Sequence, residues 1–253
     1  MSYKRSKYFI TRSGERIKYL LIDKNSEITA VFFHGFMSDM TGAKPKAIKR
    51  FCNKNNLNFL KFEYSGHGKS SGKFTKGNIS KWTKEAKELI KSKNKAKNLI
   101  FIGSSMGSWI AMNLIPYFKN KVKGFVGIAS APEFLERLMW KKFNKKIKKK
   151  VMLEKIYYLE HGNYTYPITK QLIINGRKNK ILYKTINKNI SVTLFHGLKD
   201  EVVPLKISKL VLKICKNTKK KLIKVKNGDH SLSRKSDLNK ICKELKNMIL
   251  NFI

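Results

Sequence analysis

Several marks of a secreted, membrane-spanning or metal-binding chain are missing from these 253 residues. No apolar stretch approaches the roughly 20 residues of a membrane-spanning helix. The opening run Met1-Ser2-Tyr3-Lys4-Arg5-Ser6-Lys7-Tyr8 lacks the apolar core of a secretory signal, and a strand pattern begins almost at once. Cysteine is scarce: Cys52, Cys215 and Cys242 are the only three. Their odd count and scatter exclude a disulfide framework, favour a reducing compartment and make a cytoplasmic location the expectation. No His, Cys, Asp or Glu cluster has metal-ligand spacing, so neither a metal nor another cofactor is expected. Acids are also few, 16 against 56 lysines and arginines, which leaves a net charge of +40.

That charge first suggests a polyanionic partner. Lysine, asparagine and isoleucine are enriched together along the whole chain, however, as an AT-rich genome produces. Lysine also far outnumbers arginine, whereas base and phosphate recognition leans on arginine forks. The charge is read as compositional drift, and no specific nucleic-acid partner is expected. Peripheral contact with anionic surfaces stays physically open, and nothing in the composition speaks to oligomeric state.

The length suits one α/β domain with an insertion. Tyr8–Thr11 and Ile17–Ile22 flank Ser13-Gly14-Glu15 as an opening hairpin. Strands are expected at Ile28–Phe33, Phe59–Phe62, Leu99–Ile102, Phe125–Ala129, Val192–Phe195 and Leu222–Val225. Helices are expected at Ala43–Asn53, Asn78–Ser92, Met106–Tyr117, Leu205–Lys216 and Ser236–Phe252. Strands alternating with helices imply a mostly parallel twisted sheet covered on both faces. The alternation stops between Pro132 and Asn189, where the pattern is helical, irregular and very basic. That stretch is too long for a bare loop and reads as a cap, residues 132–189, inserted into a core of residues 1–131 and 190–253.

Gly103-Ser104-Ser105-Met106-Gly107 joins the apolar run Leu99–Ile102 to a helical stretch. Strand, G-x-S-x-G, helix is the setting of a nucleophile elbow, with the central serine on a sharp turn above the sheet. The glycine spacing favours Ser105 over Ser104. A serine needs a base to take its proton and a group to orient that base. In this fold the acid and then the histidine follow the nucleophile along the chain. Asp200, before Val202-Val203-Pro204, is favoured over Glu201 as the acid, and His230 in Gly228-Asp229-His230-Ser231 is the candidate base. Asp229 is adjacent to His230, and neighbouring side chains rarely meet in hydrogen-bond geometry. His34 and His196, each beside a glycine after a strand, read as structural; His67 lies in a Gly-flanked loop and His161 in the insertion. The oxyanion hole is expected from the backbone N–H groups of Phe36 and Met106.

These motifs resemble an α/β-hydrolase subfamily that includes a mitochondrial palmitoyl-protein thioesterase, also an acyl-glucuronide hydrolase, and its bacterial homologues. The resembling stretches are His34-Gly35-Phe36-Met37-Ser38-Asp39-Met40-Thr41-Gly42, Phe62-Glu63-Tyr64-Ser65-Gly66-His67-Gly68-Lys69-Ser70, Ile79-Ser80-Lys81-Trp82, the elbow, Ala129-Ser130-Ala131-Pro132 and Gly228-Asp229-His230-Ser231-Leu232-Ser233-Arg234. The resemblance implies an α/β-hydrolase fold, a triad of Ser105, Asp200 and His230, and hydrolysis of acyl esters or thioesters, including S-palmitoyl cysteine. Ser108 departs from the pattern, since relatives commonly carry a second glycine there; its side chain is expected to crowd the helix against the sheet.

Within the insertion, Phe134-Leu135-Glu136-Arg137-Leu138-Met139-Trp140 is amphipathic, and Met139 and Trp140 are candidates to line an acyl pocket. The alternative is that they only fasten the cap to the body. Lys141–Lys150 holds seven lysines and reads as a solvated face. Arg177 is a candidate anion contact. The leading expectation is a serine hydrolase acting on a small-molecule or protein-linked acyl ester or thioester through an acyl-serine intermediate. A serine peptidase of the same fold and a catalytically silent protein binding anionic partners are the alternatives.

Overall fold

In the computed structural model, which describes residues 7–161, 164–187, 189–216 and 218–250, the apolar runs become strands of one eight-stranded sheet. β1 (Lys7–Ile10) and β2 (Arg16–Ile22) form the opening hairpin. β3 (Ile28–Phe33), α1 (Ala43–Lys54), β4 (Asn58–Phe62), α2 (Ile79–Lys93), β5 (Asn98–Ser104), α3 (Met106–Phe118) and β6 (Val122–Ile128) follow. Next come α4 (Lys145–Leu153), β7 (Ile156–His161), β8 (Tyr164–Thr169), α5 (Lys170–Lys178) and β9 (Ile186–Asn187). The chain ends with β10 (Ser191–Gly197), α6 (Leu205–Ile214), β11 (Cys215–Lys216), β12 (Lys219–Val225) and α7 (Lys235–Leu250). The sheet order is β1-β2-β4-β3-β5-β6-β10-β12. β2 pairs antiparallel with both β1 and β4, and every later pairing is parallel.

Alternation along the central strands divides the core. Val31, Phe33, Leu99 and Phe101 point to the face covered by α2 and α3. Ala30, Phe32, Ile100 and Ile102 point to the face covered by α1 and α7. A strand apolar on both sides is stable only with both faces covered, and the intervening helices supply that cover. Asn78 starts α2 by accepting a hydrogen bond from the Lys81 N–H, and Ile79, Trp82, Ala86, Leu89 and Ile90 form the buried stripe. Asn251 and Phe252, the expected end of the last helix, lie outside the described residues, as do residues 1–6.

The stretch between β6 and β10 differs from its expected helical character. It opens with a π-helical turn, Leu135–Met139, and a 3₁₀ turn, Trp140–Lys142, and after α4 it contains the antiparallel hairpin β7–β8. Glu133 closes the neck of this segment. Its Oε1 accepts the Ile181 and Leu182 N–H groups at 2.8 and 2.7 Å, and its Oε2 takes the Arg137 Nε–H at 2.7 Å. Burial opposes the charge, but these donors prevail and hold the carboxyl below its ordinary pKa.

Candidate active site

The elbow exists because its neighbours leave no room for anything wider. A Cβ on Gly103 would collide with the Ser108 backbone, and one on Gly107 with the Phe33 carbonyl oxygen. Between them Ser105 adopts φ 50°, ψ −118°, a conformation an L-residue keeps only under constraint. Its backbone is tied on both sides: the N–H donates to the Ile128 carbonyl at 2.9 Å, and the carbonyl accepts from Ser108 and Ala131. Serine at a helix start usually caps with its hydroxyl. Ser105 does not, and its Oγ faces the imidazole instead.

Three loops at the carboxyl ends of parallel strands bring the predicted residues together, the location that open α/β sheets favour. His230 Nε2 lies 3.1 Å from Ser105 Oγ, and Nδ1 lies 2.9 Å from Asp200 Oδ2. With the proton on Nδ1, His230 donates to Asp200 and accepts from the serine hydroxyl. The Asp200 carboxylate is fully buried, while its other oxygen accepts the Val202 and Val203 N–H groups at 2.9 and 2.8 Å. Burial raises its pKa, but the His230 hydrogen bond and charge and the two amides outweigh it, and the carboxyl sits below its ordinary value. It is an anion held against the ring by its own loop amides.

Gly35 approaches closely enough that a Cβ built on it would lie 3.5 Å from Ser105 Cβ, so the Phe36 backbone passes directly beside the serine. The loop is fixed from behind by His34, whose Nδ1 meets the Gly35 carbonyl at 2.8 Å and whose Nε2 accepts the Tyr64 N–H at 3.4 Å. Burial, with His67 nearby, drives the His34 pKa well down and keeps this ring neutral. Met106, the other expected oxyanion donor, starts α3 directly after Ser105.

The remaining candidates have other partners. Ser104 belongs to β5, and Glu201 stands exposed at the cleft rim. Asp229 Oδ1 accepts the Leu232 N–H at 2.8 Å and shapes the histidine loop. His196 contacts Ser208 Oγ at 2.8 Å, and His67 contacts the Ser65 carbonyl at 3.2 Å. The side chain of His161 lies outside the described residues.

The serine opens on a cleft of about 660 Å³. Its lining includes the apolar side chains of Phe36, Phe134, Leu138, Met139, Phe143 and Tyr166 and the polar ones of Asp39, Lys44, Lys142, Ser231 and Ser233. The Phe36 ring packs among the apolar lining, 5.2 Å from Phe134 and stacked 5.9 Å from Tyr166.

Two expected pocket residues are corrected here. Arg177 does not line the cleft; its Nε pairs with Glu136 Oε2 at 2.7 Å. Trp140 does not line it either, because its ring lies beneath the Arg177 guanidinium at 4.7 Å. Met139, the last residue of the π-helical turn, does line the cleft. The expected crowding at Ser108 is also absent. Its hydroxyl donates to the Gly103 carbonyl at 2.7 Å and accepts from Ser130 at 3.1 Å.

Lys44, from the first turn of α1, had no signal in a lysine-rich chain. Its ammonium donates to the Ser231 carbonyl, next to His230, and to Ser233 Oγ at 3.3 Å. Among the described residues no group of three or more His, Cys, Asp or Glu is placed to hold a metal ion, and no helix is long and apolar enough to cross a membrane.

Sheet order, elbow and cleft define an α/β hydrolase of the serine type. The family described as "Serine aminopeptidase, S33" matches residues 24–170, more than half of the chain, and the chain belongs to it. The mitochondrial palmitoyl-protein thioesterase ABHD10 of Homo sapiens is 29% identical over 216 residues, covering 82% of this chain and 68% of that protein. A putative hydrolase from Agrobacterium vitis S4 superposes with a TM-score of 0.91 at 26% identity, covering 97% and 98% of the two chains. The mouse alpha/beta hydrolase domain-containing protein 10 superposes with a TM-score of 0.90 at 23% identity, covering 98% and 100%.

Proposed function

We propose that this serine hydrolase cleaves acyl esters and thioesters through an acyl-enzyme on Ser105, with S-acyl cysteine among its substrates. The observation that carries the reading is the Ser105–His230–Asp200 relay opening on a cleft lined in large part by apolar side chains. Ser105 Oγ attacks the acyl carbonyl while His230 Nε2 takes its proton. The resulting oxyanion lies between the Phe36 and Met106 N–H groups, which stabilise charge absent from the ground state. Collapse breaks the bond to the thiol or alcohol, which leaves with the proton from His230. Water then attacks the acyl-serine, again giving a proton to His230, and the proton returns to Ser105 as the carboxylic acid departs. Asp200 stays ionised throughout and keeps the ring in the useful tautomer. Phe134, Leu138, Met139 and Phe143 take up the acyl chain. A cytoplasmic location is part of the proposal and rests on the three scattered free thiols.

The family's aminopeptidase description supports a second reading in which the same relay cuts an amide. Asp39 and Glu201 on the cleft wall would then receive the substrate ammonium.

A fluorophosphonate probe on the wild type and on Ser105→Ala tests the relay. Labelling confined to the wild type, followed by turnover of acyl thioesters and esters well above matched amides, is the expected outcome. Turnover retained by Ser105→Ala would sink the assignment, and preference for the amide would select the peptidase.

A further inference from the structure

The loop that carries His230 is not a relaxed one. Leu232, two residues on, holds φ 46° with its side chain fully buried. A left-handed backbone is strained for a non-glycine residue, so it persists only where its surroundings impose it. Three constraints are visible. The Leu232 side chain sits in the core on the α7 face of the sheet. The Leu232 N–H is held by Asp229 Oδ1 at 2.8 Å, a contact internal to the loop. The third comes from outside. Apart from the two bonds His230 itself makes, the hydrogen bonds that reach residues 229–233 from the rest of the described chain come from Lys44.

Lys44 is well placed for that work. It lies in the first turn of α1, the helix reached directly from the Gly35–Phe36 loop. Its stem is half-buried, and its ammonium lines the cleft. Two neutral oxygens, Ser231 O and Ser233 Oγ, take the hydrogen bonds of the ammonium, and Asp229 acts on it through its charge. Placing a cation there is costly unless those bonds achieve something. What they achieve is a direct link between the element that follows the oxyanion loop and the carbonyl next to the base.

We propose that Lys44 is a positioning residue for the hydrolysis, fixing the His230 loop relative to the Phe36 loop so that proton transfer and oxyanion binding stay in register. The proposal rests on the catalytic reading of Ser105, His230 and Asp200 given above. Attack geometry is steep in distance, and displacement by about 1 Å can cost about 10²-fold in rate. With the Lys44 bonds gone, the left-handed Leu232 loses one of its three constraints, and the imidazole two residues before it is held less tightly. The ammonium does not touch the reacting atoms, so it acts through the loop.

The test compares wild type, Lys44→Met, Lys44→Arg, Lys44→Ala and Ser105→Ala on a soluble acyl thioester, with thermal unfolding of each. Expected for Lys44→Met is a kcat lower by about 10- to 100-fold with KM nearly unchanged and unfolding close to wild type. Lys44→Arg, which can still donate to the Ser231 carbonyl, recovers most of kcat, and ethylammonium added to Lys44→Ala restores part of it. Turnover of Lys44→Met equal to wild type, while Ser105→Ala is dead, overturns the role of Lys44 and leaves the relay standing. Loss of kcat that tracks loss of fold, without rescue by arginine or amine, reduces Lys44 to a structural residue and also overturns it. Turnover that survives Ser105→Ala removes the catalytic reading itself and the proposal with it.

Discussion

Ser108 donates its hydroxyl to the carbonyl of Gly103 at 2.7 Å, joining the first turn of the elbow helix to the end of the elbow strand. Ser130, after β6, donates to the same hydroxyl, so one buried oxygen ties three segments around the proposed nucleophile. The departure from a second glycine therefore replaces close packing with hydrogen bonding. In Ser108→Ala, Ser130 loses its acceptor in a fully buried place. The expected cost is about 1–2 kcal/mol of unfolding free energy in denaturant titration, with turnover little changed because the relay is not touched.

Acidification should weaken the fold before the carboxylates titrate. Burial depresses the His67 pKa to about 4 and that of His34 well below its ordinary value. Both are neutral in the native state and take up protons more readily when unfolded. Their contribution is fully present above the ordinary histidine pKa and is lost as pH falls from there through the depressed native values. For His67 alone the full loss is about 3 kcal/mol. Glu85, raised by burial, runs the other way: its contribution is present below its ordinary value and is lost as pH rises through the native one. Unfolding titrations at about pH 7 and about pH 5 should show the decline, and His67→Asn should make it shallower.

Chain-length preference should follow the apolar lining of the cleft. Met139 contributes to it from the π-helical turn that follows β6. Met139→Trp shortens the space available to an acyl chain. With a series of acyl thioesters, KM for long chains should rise about 10-fold or more while short chains are hydrolysed as before. A uniform loss over all lengths would place the acyl chain elsewhere.

Much of this was legible in the residues. Glycines flanking Ser105 and the chain order of Ser105, Asp200 and His230 already point to side chains that the structure brings within hydrogen-bond reach, because parallel strands deliver their loops to one edge. Helix limits came within a few residues wherever the apolar stripe was clean, as in α2. The hairpin β7–β8 was not legible. Tyrosines stand on both of its faces, at 157 and 158, and Pro167 sits inside β8, so the two-residue alternation that marks a strand is blurred. Trp140 and Arg177 were not legible for another reason: Arg177 is engaged by Glu136 and stands over the Trp140 ring, contacts made across the fold that no local sequence pattern announces. Lys44 was hidden by sheer number.

The Glu133 neck has a last consequence. The Ile181 and Leu182 amides close on the Glu133 carboxylate, so the stretch between them leaves and rejoins the body at neighbouring places. It also rests on the body along its length: Gln171 donates to the Thr75 carbonyl, the Ser80 N–H donates to Asn175, and the Trp109 indole donates to the Asn179 carbonyl. A graft that matched only the two ends would therefore leave the Trp109 N–H without its acceptor, and an exchange has to reproduce the seat on α2 and α3 as well as the neck.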